Sequence, residues 1–221
     1  MGQLDGKIAI ITGGGTGIGK AIARAFTTDG AKLVIASRNK ENLEATANEL
    51  RANGATVLPL PTDVKDEAQV LALFDKTMQE FGRVDILVNN SGAFDGGPLD
   101  KVSLEAWQNV INVNLTGPFL CTRESMKIMK RQGGGRIINI GSVSAQMPRS
   151  NTGPYTTSKH GLVGLTKSTA LEGRPFGISA SCLHPGNISV EWRVARGAEI
   201  DQEPMMTPDD LAKVALTMAA M

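Results

Sequence analysis

Tyrosine is all but missing from this chain: 221 residues contain a single one, Tyr155. Aromatic residues together make up only 4%, so any core must be filled by aliphatic side chains. Cysteine is almost as scarce. Cys121 and Cys182 stand far apart and fit no metal or redox spacing, which excludes a disulfide scaffold and points to a reducing cytoplasm. The two histidines, His160 and His184, have no clustered partners, so they read as packing or supporting residues and no metal is expected. Neither sign of charge dominates. Lys and Arg total 23 against 22 acids, and a net charge of +1 offers no basic field to nucleic acid and no acidic tail. No apolar run approaches the ~20 residues that a membrane crossing needs, and the N-terminus runs into Lys7-Ile8-Ala9-Ile10-Ile11 without a secretory layout. What remains is 41% hydrophobic residues, enough to bury one substantial core, and a single domain over residues 1–221 is expected.

Short β-branched runs alternate with longer amphipathic stretches along the whole chain. Strands are expected near Lys7 to Thr12, Lys32 to Ala36, Thr56 to Pro59, Val84 to Asn89, Gly135 to Ile140 and Ile178 to His184. Helices fill the gaps: Gly17 to Asp29, Lys40 to Asn53, Asp66 to Phe81, Leu104 to Arg131, Pro154 to Gly173, and Pro208 to the end. Each crossover is long enough to return the chain to a parallel neighbour. The strands read as nearly continuous apolar runs, as in a sheet covered on both faces. The expected class is therefore α/β, a doubly wound Rossmann fold with a parallel sheet.

Directly after the first strand comes Thr12-Gly13-Gly14-Gly15-Thr16-Gly17-Ile18-Gly19, and then a helix. Glycines there let the backbone turn tightly and let a pyrophosphate approach the amides, while the helix N-terminus supplies unpaired N–H donors. A dinucleotide is the ligand this turn implies. The second strand ends Ile35-Ala36-Ser37-Arg38-Asn39, with no carboxylate where a free ribose 2′-hydroxyl would want an acceptor. The Arg38 guanidinium with the Ser37 hydroxyl would instead pair with a 2′-phosphate, so NADP(H) is expected over NAD(H).

Tyr155 stands four positions before Lys159, which on a helix puts both on one face a turn apart. A cation about 4 Å from a phenol at an effective dielectric of ~20 favours the phenolate by up to ~4 kcal/mol, so Lys159 is expected to lower the Tyr155 pKa by ~2–3 units until desolvation opposes it. A tyrosine tuned that way serves as acid or base near neutrality. A surface tyrosine beside an exposed lysine is the alternative that the pair alone leaves open.

Six features occur in order: the turn Thr12-Gly-x-x-x-Gly-x-Gly, Asn89-Asn90-Ser91-Gly92, Asn114 in Asn112-Val113-Asn114, Ser142, Tyr155-x-x-x-Lys159, and Pro185-Gly186. Together they resemble the short-chain dehydrogenase/reductase family over essentially the whole chain. The resemblance implies a one-domain Rossmann fold, a nicotinamide cofactor and an active centre of Ser142, Tyr155, Lys159 and Asn114. In that picture Ser142 hydrogen-bonds the substrate oxygen, Tyr155 exchanges its proton, Lys159 lowers the phenol's pKa and grips the nicotinamide ribose, and Asn114 holds a water linking Lys159 to solvent. Cofactor contacts implied are Gly13, Thr16, Gly17, Ile18 and Gly19 in the turn, and Ser37 and Arg38 at the ribose. Asp63 and Val64 would meet adenine, Asn90 and Gly92 its ribose side, and Pro185, Gly186 and Ile188 the carboxamide. Ser144 could share or supply the hydroxyl assigned to Ser142. Asn114 could be a local backbone bonder, and Asn90 could equally be a structural bridge.

Departures from the family pattern are few. The second asparagine motif reads Asn-Ser-Gly rather than Asn-Ala-Gly, and Val190 occupies a place where threonine often meets the cofactor, leaving Ser189 or backbone amides to substitute. Family members continue past the final helix into a last parallel strand; the last strand is expected to be missing here, and a tail of roughly twenty to thirty residues is expected beyond the sequence given. The segment between Gly186 and Thr207, with Trp192, Arg193, Arg196, Met205 and Met206, is where a substrate lid belongs, and Phe94, Gln146, Met147 and Trp192 are pocket candidates. The expected activity is NADP(H)-dependent interconversion of a ketone and a secondary alcohol, with a 3-oxoacyl thioester reductase and a polyol or sugar dehydrogenase as possibilities. A non-catalytic dinucleotide sensor or scaffold is the alternative from another class. The resemblance further implies a homotetramer built on the helices at Leu104 to Arg131 and Pro154 to Gly173, where Ala170 and Leu171 could face outward.

Overall fold

The structure, a computed structural model, describes residues 2–189 and 205–221. The β-branched runs form β1 (Ile8–Thr12), β2 (Lys32–Ser37), β3 (Val57–Pro61), β4 (Ile86–Asn89), β5 (Gly135–Ile140) and β6 (Ile178–Leu183). Between them lie α1 (Gly17–Thr28), α2 (Lys40–Ala52), α3 (Glu67–Phe81), α4 (Leu104–Ile111), α5 (Gly117–Gln132) and α6 (Gly153–Gly173), and α7 (Pro208–Ala220) closes the chain. All strand pairings are parallel, in the order β3-β2-β1-β4-β5-β6. Among the described residues no strand follows β6 in this sheet, as expected.

Alternate strand residues feed two cores. Ala9, Ile11, Leu33, Ile35, Ile86, Val88, Ile138 and Ile140 pack with Ile22 and Phe26 of α1, Leu43 of α2, and Ala212 and Ala215 of α7. Ile10, Val34, Leu87 and Ile137 turn to the opposite face, against Val70 and Phe74 of α3 and Leu120 and Met129 of α5. Both faces of the sheet are thus covered, which is why its strands carry no polar alternation. Each large aliphatic side chain fully withdrawn from water contributes about 1.5–3 kcal/mol. Helix starts are fixed locally: Asn39, Asp66 and Ser103 cap α2, α3 and α4, and Thr207 with Asp210 forms a reciprocal cap on α7.

The expected single helix over Leu104 to Arg131 is in fact three segments. A π-helical turn, Asn112–Thr116, separates α4 from α5. Pro118 is the physical reason: it has no N–H to give the carbonyl four residues earlier, that of Asn114, so the regular ladder cannot pass this point.

Strand order reverses between β1 and β4, and the crevice outside their carboxyl ends is where α/β sheets take ligands. Thr12 at the end of β1 holds this crevice. Its hydroxyl accepts hydrogen bonds from the amides of Asn90 (3.0 Å) and Ser91 (3.1 Å) beyond β4.

Candidate active site

Around the glycine turn the backbone lies where side chains cannot follow. Gly13 and Gly17 have φ of 67° and 50°, in the left-handed region that favours glycine. A Cβ on Gly19 would collide with the Gly13 carbonyl, and one on Gly14 would come within 2.9 Å of Ile35. Thr16, exposed at the N-cap of α1, makes no side-chain cap, and the first turn carries no acid, so its N–H donors stay open to an anion. Beside this turn lies a cleft of about 520 Å³. Gly13, Thr16, Ser37, Arg38, Asp63 and Val64 line it. Gly92 lines it too, with Ser91 and Val113. A glycine cradle without room for Cβ atoms, open helix donors and a cleft running to a guanidinium fit the pyrophosphate and adenosine of a nicotinamide dinucleotide.

Arg38 is exposed at the cleft, and among the described residues no carboxylate is paired with it. Asp63 lies across the cleft, its carboxylate accepting from the Lys65 amide at 3.0 Å. Asn42 and Thr62 also line the cleft, contacts that sequence reasoning missed. Asn42 sits one turn into α2, and its amide bonds the capping Asn39 side chain at 2.7 Å. The Asn39 cap was a readable signal of where this helix starts.

Asn90 is a bridge. Its side-chain amide donates to the carbonyls of Thr12 (3.0 Å) and Gly13 (3.2 Å), which directs it into the glycine turn from behind. One layer deeper, Asn89 donates to Asn139 (2.8 Å), and Asn139 to Thr166 (2.8 Å), tying β4, β5 and α6 together.

Ser142, Tyr155 and Lys159 come together at the carboxyl end of β5. Tyr155 falls in the first turn of α6 and Lys159 one turn later, with the Lys159 Nζ 5.6 Å from the centre of the phenol ring. The shared helical face expected from their spacing is present. The Ser142 hydroxyl acts on the Tyr155 phenol and favours its ionised form. Its neighbour Ser144 gives its backbone amide to the Ser142 Oγ at 3.1 Å.

The electrostatics differ from expectation. Burial pushes the Tyr155 phenol above its ordinary value, and the Ser142 hydrogen bond opposes this only in part. The Lys159 ammonium donates to the Ile140 carbonyl at 2.7 Å. Lys159 is itself 5% exposed, and that burial brings its pKa down to about 8. Burial also raises the Cys182 thiol nearby, against a hydrogen bond from Thr166 and the charge of Lys159.

Asn114 is no local backbone bonder. Its Oδ1 accepts from the Ala93 amide at 2.7 Å, and its Nδ2 donates to the Ala93 carbonyl (2.9 Å) and to the Ser158 hydroxyl (3.1 Å). Both amide hydrogens are used, so the side chain ties the loop after β4 to α6 and does not present a free donor to water. Phe94 lies with its ring 5.2 Å from that of Tyr155, tilted by 58°.

After β6, the Pro185 carbonyl accepts from the Val143 amide at 3.0 Å and Gly186 is exposed. Ile188 is buried against Leu211, Ile18 and Leu183, and it pairs with Met206 as a parallel bridge. Ile18 is thereby partly engaged in packing. The positions of Val190, Trp192, Arg193 and Arg196 lie outside the described residues. Among those described, no helix is long and apolar enough to cross a membrane, and no cluster of metal-ligating side chains occurs.

Comparison with known proteins agrees with this geometry. Residues 7–201 match the short chain dehydrogenase family. A 3-oxoacyl-[acyl-carrier-protein] reductase of Synechocystis is 36% identical over 200 residues, 90% of this chain and 81% of that protein. D-threitol dehydrogenase of Mycolicibacterium smegmatis is 34% identical over 227 residues, covering 99% and 87%. The crystal structure of a short-chain type dehydrogenase/reductase from Mycobacterium marinum superposes with a TM-score of 0.91 at 33% identity, covering 98% of this chain and 89% of that one. With its doubly wound parallel sheet and its glycine turn, the chain belongs to the short chain dehydrogenase family, oxidoreductases that use a nicotinamide dinucleotide to interconvert CH–OH and C=O groups.

Proposed function

We propose that this protein is an NADP(H)-dependent oxidoreductase that interconverts a ketone and a secondary alcohol, with Tyr155 as the acid and base. The observation that carries this reading is the meeting of Ser142, Tyr155 and Lys159 at one end of a sheet whose neighbouring crevice fits a dinucleotide. A bound nicotinamide dinucleotide supplies a hydride in reduction and accepts one in oxidation. Gly13, Thr16, Gly17, Ile18 and Gly19 hold its pyrophosphate, and Asp63, Val64 and Gly92 flank its adenosine. Asn90 acts by bracing the turn. Pro185, Gly186 and Ile188 border the nicotinamide end. Ser37 and Arg38 favour a 2′-phosphate, since the end of β2 offers a cation and a hydroxyl in place of a carboxylate.

In reduction, Ser142 donates a hydrogen bond to the carbonyl oxygen and stabilises the charge that grows there. Tyr155 gives that oxygen its proton, and takes one from the alcohol in the reverse direction. Burial keeps the phenol protonated at neutral pH, the state that reduction needs. Lys159, one turn along α6, would supply a positive charge to the phenolate left behind and would hold the cofactor's ribose. Asn114 contributes through its backbone carbonyl, which Pro118 cannot reach and which is an acceptor for the water that resupplies the proton.

Two activities among the relatives, on a 3-oxoacyl carrier and on a polyol, bracket the substrate class without choosing between its members. Residues 1–221 form one dinucleotide-binding and catalytic domain acting in the cytoplasm, where Cys121 and Cys182 stay free thiols. The assembly is a homotetramer, for which the exposed Phe119 of α5 and Leu171 of α6 supply apolar contact surface; sedimentation velocity at micromolar concentration tests it, and a monomer contradicts it.

The decisive experiment is a panel of ketones, 3-oxoacyl thioesters and sugars with NADPH or NADH, followed at 340 nm, with wild type and Tyr155→Phe. We expect NADPH oxidation with at least one carbonyl, a higher kcat/KM for NADPH than for NADH, and a fall of about 10²–10⁴ in kcat on removing the phenolic hydroxyl. NADPH binding without turnover on any substrate would favour a sensor.

A further inference from the structure

His184 is one of only two histidines, and neither the cofactor nor the proton transfer uses it. It follows β6 directly. The β5–β6 ladder pairs Ile140 with Leu183, and the Gly141 amide still bonds the Leu183 carbonyl at 2.7 Å. The next rung is missing one donor, because Pro185 has no N–H to give. The His184 side chain adds a bond of its own. Its Nδ1 lies 2.9 Å from the backbone carbonyl oxygen of Ser142. A carbonyl only accepts, so Nδ1 carries the proton. Beyond it, the Val143 amide bonds the Pro185 carbonyl at 3.0 Å. Ser142 therefore sits between two backbone rungs, and its carbonyl is held from two sides, by the Ala145 amide at 3.0 Å and by the His184 imidazole.

The sequence makes room for that ring. A Cβ on Gly141 would come within 2.7 Å of the His184 Nδ1 and 2.8 Å of the Cys182 sulfur, so glycine before Ser142 is what lets the imidazole approach the chain. The Ser142 hydroxyl in turn meets the Tyr155 phenol and takes the Ser144 amide.

We infer that His184 is a positioning residue that acts through Ser142: its Nδ1–H fixes the peptide from which the Ser142 hydroxyl reaches the phenol and a substrate oxygen. This rests on the role proposed above for Ser142. Misplacement of a reacting group by a fraction of an ångström to an ångström is enough to cost up to about a hundredfold in rate.

The test is a double-mutant cycle with a rescue, using purified full-length protein, NADPH and the best carbonyl of the panel. Ser142→Ala alone reports on the role of Ser142, and an unchanged kcat there would sink both readings. His184→Ala is expected to lower kcat about 10- to 100-fold with the KM for NADPH changed by less than about threefold, and to add little in the Ser142→Ala background. His184→Asn, which keeps an N–H near the Nδ1 position, is expected to recover most of the loss. His184→Gln, whose amide lies one bond further out, is expected to recover little. Should His184→Ala fail to fold, the Asn and Gln variants decide the matter between them. Multiplicative losses in the double variant, or equal activity of the Asn and Gln variants, would overturn the proposal while leaving Ser142 in place.

Discussion

Lys159 keeps an ammonium where water is almost entirely excluded, and the chain's stability should register it. In the unfolded chain lysine titrates near its ordinary 10.5, whereas burial brings it to about 8 in the folded protein. Between those values the unfolded state binds more protons, so stability rises with pH across that window; below about 8 the full cost of burying the charge is present. Lys159→Met removes the charge and fills the same space, while giving up the 2.7 Å hydrogen bond to the Ile140 carbonyl, worth about 1 kcal/mol. The expected result is a variant more stable than wild type by about 1–3 kcal/mol in urea unfolding at pH 7, with the gain shrinking toward pH 10, and with little catalysis left. Equal gains at both values would mean that the ammonium is not the cause. The pairing of Tyr155 with Lys159 was legible from their spacing, because helical geometry alone puts them together. Which effect governs the phenol was not, since depth below the surface is a property of the packed molecule.

At the level of elements, the glycine turn and its helix were readable as a strand, a run of glycines and an amphipathic stretch. Its dependence on close approach was readable only as a tendency. Gly19 faces the Gly13 carbonyl with no space for a methyl group, so Gly19→Ala must move the first turn of α1 away from β1. We expect NADPH affinity to fall at least about tenfold by fluorescence titration, with far-ultraviolet circular dichroism unchanged. Unaltered affinity would show that the pyrophosphate does not lie against this turn. The long helix after β4 was read through its break, although Pro118 and two asparagines in three residues marked the place. The π turn matters because it turns Asn114 toward Ala93 and Ser158, joining the loop over the cleft to the helix that carries Tyr155. The loops after β4 and β5 meet in the same way: the Gly97 amide bonds the carbonyl of Asn151, whose φ of 62° is the only positive value outside glycine among the described residues. Asn tolerates that conformation better than other residues with side chains.

For the whole molecule, alternation of strand and helix was enough to predict a doubly wound parallel sheet, because crossovers of this length permit little else. The position of the reversal between β1 and β4 came from the structure, and it is what places the glycine turn, Arg38 and the Ser142 loop along one edge of the sheet. Nothing local in the sequence encodes a strand's neighbour. The segment that joins Ser189 to Met205 carries Trp192 and both arginines expected at the substrate; its two ends are held together, the Ser189 amide bonding the Met206 carbonyl at 3.0 Å. Phe94, on the loop after β4, packs its ring 5.2 Å from that of Tyr155.

A crystal structure of the protein with NADP⁺ and a bound alcohol is the most direct measurement of the account. It should show the alcohol oxygen within about 2.6–3.2 Å of both the Tyr155 hydroxyl and the Ser142 Oγ, with the nicotinamide ring against the same carbon and the 2′-phosphate on Arg38. An alcohol oxygen out of reach of Tyr155, or a nicotinamide lying away from it, would contradict the account.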